Sequence, residues 1–172
     1  MCLCYLCFCF FAGAFVAGLD AGLLYNEFPL MGGRLAPPKD ELLSTAYTTR
    51  ADKSDLWRNV FENPTTVQFD HRLLAMTTYT GTGALYALTF QSALKEALPA
   101  LTRRVTALTF GIANLQVILG ISTLLYLVPV PLAAAHQAGS IALLSSAIVL
   151  AMTLRRPGTV ARMWRTRKLP AS

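Results

Sequence analysis

LAAAHQAGSIALLSSAIVLAMTL, residues Leu132–Leu154, contains no Asp, Glu, Lys or Arg and one ionisable side chain, His136. A run of about 20 apolar residues is what a helix needs to cross the hydrocarbon core of a bilayer. Working outward, three more stretches read the same way: Leu3–Leu24, Val67–Phe90 and Val105–Leu127. Unpaired backbone groups are not tolerated in lipid, and none of these stretches has the alternating period of a barrel strand, so they are read as helices. The whole chain of 172 residues is 54% hydrophobic and 14% charged, too apolar for an ordinary soluble domain. The predicted fold class is an all-α integral membrane protein, a four-transmembrane-helix bundle over residues 1–156. Its helices fall at about 3–24, 67–90, 105–127 and 132–154, with a loop over 25–66 and a basic tail over 157–172.

The net charge of +6 does not form a basic face interleaved with aromatics, which argues against a nucleic-acid partner. It marks orientation instead. The loop Gln91–Arg104 holds Lys95, Arg103 and Arg104 against Glu96, and the chain after Leu154 holds Arg155, Arg156, Arg162, Arg165, Arg167 and Lys168. In Tyr25–Thr66, by contrast, Arg34, Lys39, Arg50, Lys53 and Arg58 are offset by Glu27, Asp40, Glu41, Asp52, Asp55 and Glu62. The positive-inside rule then places both termini on the cytoplasmic or matrix side. Pro29, Pro37, Pro38 and Pro64, with Gly32 and Gly33, predict an irregular, partly ordered connection. Pro129 and Pro131 predict a tight link that makes the last two helices antiparallel neighbours.

Cys2, Cys4, Cys7 and Cys9 all lie in the first apolar segment and read as small, membrane-compatible side chains; the Cys4–Cys7 spacing also admits a metal or redox reading. No histidine follows Cys7, which excludes covalent c-type haem attachment. Met1–Gly18 also admits a secretory-signal reading, although the charged start of such a signal is missing.

Ionisable residues inside membrane helices are costly, so each is a functional hypothesis. Here they are Asp20, Asp70, His71, Arg72 and His136. His71 and His136 enter near the starts of two non-consecutive helices that run in the same direction, and so lie level with each other. One such histidine is explained by a neighbouring carbonyl; two at equal depth point to a haem iron held from both sides. Gly139 and Ser140 after His136, Leu74 and Ala75 after His71, and Gly81 and Gly83 deeper in, leave room for the macrocycle. Zinc would leave a tetrahedral site half empty. Arg72 can pair with a haem propionate, and snorkelling alone also explains it. Asp70 and Asp20 are candidates to pair with Arg72 or with the second nitrogen of a histidine. Asn114 and Gln116 predict interhelical hydrogen bonds, with substrate contact as the alternative, and Gly18 and Gly22 predict close helix packing. In Asn63-Pro64-Thr65 the proline rules out a glycosylation acceptor.

Four segments carry a resemblance to a known family: GAFVAGLDAGLLYNEFPLMG (Gly13–Gly32), RNVFENPTTVQFDHR (Arg58–Arg72), QVILGISTLL (Gln116–Leu125) and VPVPLAAAHQAGS (Val128–Ser140). Together, over roughly residues 12–156, they resemble the C-terminal half of mitochondrial-type haem A synthase. Met1–Phe11 does not look like the corresponding helix start. The resemblance implies one half of an eight-helix, two-fold pseudo-symmetric protein with a haem-ligating histidine pair in each half. It implies oxidation of the C8 methyl of haem O to the formyl group of haem A, for cytochrome c oxidase assembly.

The family's C-terminal pair falls on His71 and His136, with Arg72 beside them, and the implied cofactor is haem b. The substrate half carries a glutamate three residues before its first histidine, where this chain has Gln68. The expected partners are haem O together with an N-terminal half, the bilayer of the mitochondrial inner membrane, an electron donor of unknown identity, and a second copy in a homo-oligomer. No catalytic residue is assigned. The rival readings are a non-catalytic membrane haem-b-binding or assembly protein, and an inactive truncated fragment.

Overall fold

The computed structural model describes residues 2–154; the expected basic tail over 157–172 lies outside them. Among the described residues there are helices, short turns and a single backbone bridge between Met31 and Arg34, and no strand. In chain order the α-helices are α1 (Cys2–Gly18), α2 (Lys39–Leu42), α3 (Asn59–Glu62), α4 (Pro64–Leu88), α5 (Ser92–Ala97), α6 (Ala100–Leu125) and α7 (Val130–Leu154).

The long helices start where their caps put them. Asn63 accepts the amide of Thr65 on its side chain, and Pro64 occupies the first turn, where its missing N–H costs nothing. α4 therefore begins three residues earlier than the hydropathy reading placed it. α6 follows Pro99 and α7 follows Pro129, with Pro131 accommodated in the first turn.

The first helix ends earlier than expected, at Gly18 rather than Leu24. Asp20 adopts the left-handed conformation (φ 49°) and a short 3-10 turn follows over Ala21–Leu23. The Gly-x-x-x-Gly reading fails with it, because Gly18 and Gly22 do not share a helix. A Cβ on Gly18 would meet nothing, and one on Gly22 would touch Val128 at 3.1 Å.

Two helices, α6 and α7, are both long and apolar enough to cross a membrane, each with a mean hydropathy of 1.7 over its best window. α1 is apolar but 17 residues long. α4 has the length, at 25 residues, but carries Asp70, His71, Arg72 and many threonines.

α1 packs on α4 and α7, α4 on α6, and α6 on α7. This closes a ring in which α4 and α7 occupy opposite corners. Its surface is apolar and its interior partly polar: Ile118 is 61% exposed whereas Thr109 is 2% exposed. Inside, Leu6, Ala113, Leu143 and Ala147 meet Tyr79. The buried threonines satisfy their hydroxyls on their own helices, Thr106 on the Thr102 carbonyl (2.8 Å) and Thr109 on that of Val105 (2.9 Å). Tyr79, Phe110 and Tyr86 stack between α4 and α6 at centroid separations of 5.8 and 5.2 Å.

The 25–66 connection is irregular, as expected, and it is pinned to the start of α4. Asn59 donates to the Ser44 and Leu56 carbonyls, Asn63 to the Glu41 carbonyl, and Thr66 to the Leu42 carbonyl. Gly32 and Gly33, at φ 63° and 73°, make the tight turn that brings the Met31 and Arg34 backbones together. The Tyr25 hydroxyl donates to the Glu41 carboxylate, and this bond, with Glu41's charge and some burial, pushes its pKa up to about 12. Asp55 accepts the amide and hydroxyl of Thr49 at 2.8 and 2.7 Å, which lowers its pKa. Asn26 donates to the carbonyls of Gly22 (2.8 Å) and Leu124 (3.0 Å), so the connection and the end of α6 share one end of the ring.

Candidate functional site

His71 lies seven residues after Pro64 and His136 six after Val130. At 1.5 Å per residue both sit about 10 Å inside their helices, counted from the same end of the ring. The level arrangement expected of an axial pair is therefore present, deeper than the single turn the hydropathy boundaries implied.

Each imidazole is set into a notch on the neighbouring helix. Cε1 of His71 comes within 3.2 Å of the point where a Cβ on Gly13 of α1 would stand, and Cε1 of His136 within 2.9 Å of the same point on Gly120 of α6. One turn before each glycine on the same helix face, the carbonyls of Cys9 and Gln116 lie beside the two rings without reaching hydrogen-bond geometry. Nδ1 of both rings is buried with no hydrogen-bond partner.

Buried polar atoms without partners are rare and ask for an explanation. Two imidazoles at one level, each with a carbonyl beside it to take the second ring N–H, fit a haem with two histidine ligands. Among the described residues no group of three or more His, Cys, Asp or Glu could hold a metal ion, which leaves the zinc alternative without a ligand set. Cys4, Cys7 and Cys9 are free thiols.

Arg72 does not stand free beside the histidines. Its guanidinium donates to the carbonyls of Leu30 (2.9 Å) and Tyr25 (2.8 Å), and Gln68, one turn earlier, donates to the same Tyr25 carbonyl at 3.1 Å. Arg72 and Gln68 thus clamp the start of the 25–66 connection onto α4 at the level of His71. Arg72 pairs with neither Asp70 nor Asp20, and neither carboxylate hydrogen-bonds a histidine; the one ion pair among the described residues joins Arg58 and Glu62 at 2.8 Å. Neither expected aspartate role is seen: the hydrogen bonds of Arg72 go to backbone carbonyls, and Nδ1 of each histidine has no partner.

The interhelical reading of the two polar residues on α6 holds. Asn114 accepts the Tyr79 hydroxyl at 3.0 Å, and Gln116 donates to the His136 carbonyl at 2.9 Å. Sequence reasoning missed Gly13 and Gly120 as the notches for the histidines. Both lie inside the quoted segments, and the signal was a glycine on each histidine-free helix of the ring.

The family described as cytochrome oxidase assembly protein matches residues 1–148, so it takes in the Met1–Phe11 start that the resemblance had left out. The heme A synthase-mitochondrial ferredoxin fusion protein of Schizosaccharomyces pombe is 49% identical over 145 residues, which cover 83% of this chain and 23% of that protein. Heme A synthase COX15 of Mus musculus is 50% identical over 145 residues, 84% of this chain and 32% of the relative. Heme A synthase of Nitrosospira multiformis is 42% identical over 145 residues, 84% and 37% of the two chains. This chain spans about a third or less of the length of the two eukaryotic relatives. No solved structure matches it. With two levelled histidines set in glycine notches and a family match over most of its length, the chain belongs to the cytochrome oxidase assembly protein family of the haem A synthases.

Proposed function

We propose that this chain is the haem-b-binding part of a haem A synthase, a four-helix membrane bundle that holds haem iron between His71 and His136 while haem O is oxidised at its C8 methyl to haem A. The observation that carries this reading is the pair of level, unpartnered imidazoles, each beside a carbonyl and a glycine of the next helix. When bound, the haem supplies electron transfer. The chain's own residues do the rest: His71 and His136 ligate, Gly13 and Gly120 give them room, and Arg72 and Gln68 keep the connection closed over that end.

In this reading α1 and α4 cross the membrane alongside α6 and α7, with the polar side chains of α4 turned into the ring. α1, at about 25 Å, matches a bilayer slightly thinned around it. Arg72, already at the level of His71, also lies where a propionate could take its unused N–H donors.

The reading is tested by the haem content of the purified chain. The expected result is one b-type haem per chain with a low-spin, six-coordinate spectrum; a chain that takes up no haem when haem b is added in detergent refutes it.

The membrane in question is the mitochondrial inner membrane, with residues 25–66 on the intermembrane-space side and both termini in the matrix. The orientation rests on the concentration of positive charge in 91–104 and beyond 154, and the choice of membrane on the resemblance to mitochondrial-type haem A synthase. In mitoplasts, protease is expected to cut within 48–55 and to spare an epitope placed after Ser172. Loss of that epitope from intact mitoplasts would reverse the orientation.

A further inference from the structure

We infer that Gln116 is a positioning residue that fixes the depth and rotation of His136, so that the two haem ligands are held unequally. The inference rests on the haem reading above and adds to it a division of labour between the two sides of the iron. Gln116 Nε2 donates to the carbonyl of His136 itself, at 2.9 Å across the α6–α7 interface. Within a helix that carbonyl accepts the amide four residues on. Gln116 adds a second bond at the ligand's own residue, where a slide of one residue along α7 would turn the imidazole by about 100°.

Three further features converge on the same spot. The backbone carbonyl of Gln116 lies beside the His136 ring. Gly120, one turn along α6, leaves the ring its 2.9 Å approach. Gly139, nearly one turn beyond His136, faces the Gln116 amide, and a Cβ there would run into Oε1. That Oε1 is buried and has no hydrogen-bond partner, so a single bond and the glycine wall define where the amide sits. Close backbone approach at small residues, with a polar side chain bridging, is how helices lock together in lipid.

His71 has the notch without the brace. Gly13 and the Cys9 carbonyl stand where Gly120 and the Gln116 carbonyl stand on the other side. The residue at the position of Gln116 is a cysteine, however, and among the described side chains of α1 none bonds the His71 carbonyl. His136 is therefore the fixed ligand, and His71 adjusts to the iron.

The test uses the purified chain loaded with haem b. The angle between two axial imidazole planes governs the g anisotropy of low-spin ferric haem, a readout that global stability does not move. Gln116→Met keeps the length of the side chain and removes the donor. It is expected to bind haem, to lose it about three- to tenfold faster, the size of one interhelical hydrogen bond in a membrane, and to show shifted g values. Gln116→Glu, donating as the neutral acid, restores the wild-type spectrum. Gly139→Ala displaces the amide sterically and reproduces the Gln116→Met spectrum, and combining the two adds nothing further; it also supplies the readout where Gln116→Met fails to fold. Wild-type g values in Gln116→Met or Gly139→Ala, or additive shifts in the double variant, overturn the inference while leaving the haem reading intact. A wild-type chain that binds no haem overturns both.

Discussion

Substitution of His71 or His136 by alanine is expected to abolish stoichiometric haem b binding by the purified chain. In the proposed reading each imidazole supplies one axial bond, and the chain has no third histidine to replace a lost one. Loss of an outer-shell partner at a metal site costs about 10- to 100-fold in affinity, so loss of a ligand itself should exceed about 100-fold. Any residual haem would be five-coordinate and high-spin, with a displaced Soret band. Arg72→Ala should behave differently, because its guanidinium holds the carbonyls of Tyr25 and Leu30 at the same level. Hydrogen bonds from a charged donor are worth about 1.5–3 kcal/mol each, and their loss frees the connection without removing a ligand. Haem should remain bound in Arg72→Ala and exchange faster. An unchanged Soret band in both histidine variants would remove the axial assignment.

The second large effect concerns turnover. Residues 2–154 offer one histidine pair, and at the position where the resemblance implies a glutamate in the substrate half stands Gln68, whose amide is committed to the Tyr25 carbonyl. Two macrocycles need two pockets of similar size, and the ring of four helices has one level of ligands. Glutamine cannot exchange a proton as a carboxylate can, so pairing two copies of this segment would not supply that group. Expressed alone in cells that make haem O and lack their own haem A synthase, the segment is expected to yield no haem A on chromatography of extracted haems. Supplying in trans the N-terminal region of a full-length relative should restore it. Haem A from the segment alone would show that one histidine pair suffices.

Much of this arrangement was legible in the sequence, for reasons of periodicity and spacing. The two histidines could be levelled because each was counted from the start of an apolar run. Asn63 and Pro129 moved those starts by three and two residues, nearly equal amounts, so the level survived while the depth changed. The end of α1 was not legible, because hydropathy continues through Leu23 and Leu24 whereas the backbone turns at Asp20. The role of Arg72 was hidden for a different reason. Its partners are backbone carbonyls 42 and 47 residues upstream, and carbonyls carry no residue type to read. The glycine notches were of the same kind: Gly13 and Gly120 matter through what approaches them from another helix.

The clamp by Gln68 and Arg72 also orders events in time. The carbonyls of Tyr25 and Leu30 are made before α4, yet they can be gripped only once α4 has been synthesised and has taken its place beside α1. The Asn26 contact to Leu124 cannot form until α6 is complete, nearly a hundred residues later. Residues 25–66, though among the first to emerge, therefore cannot take their full set of contacts until α6 is made, with only α7 still to follow. Until α6 is in place, the contact between Asn26 and Leu124 is missing from the end of α4 that carries His71. Because His136 follows α6 in the chain, a group held by both histidines would be enclosed only after the Asn26–Leu124 contact has become possible.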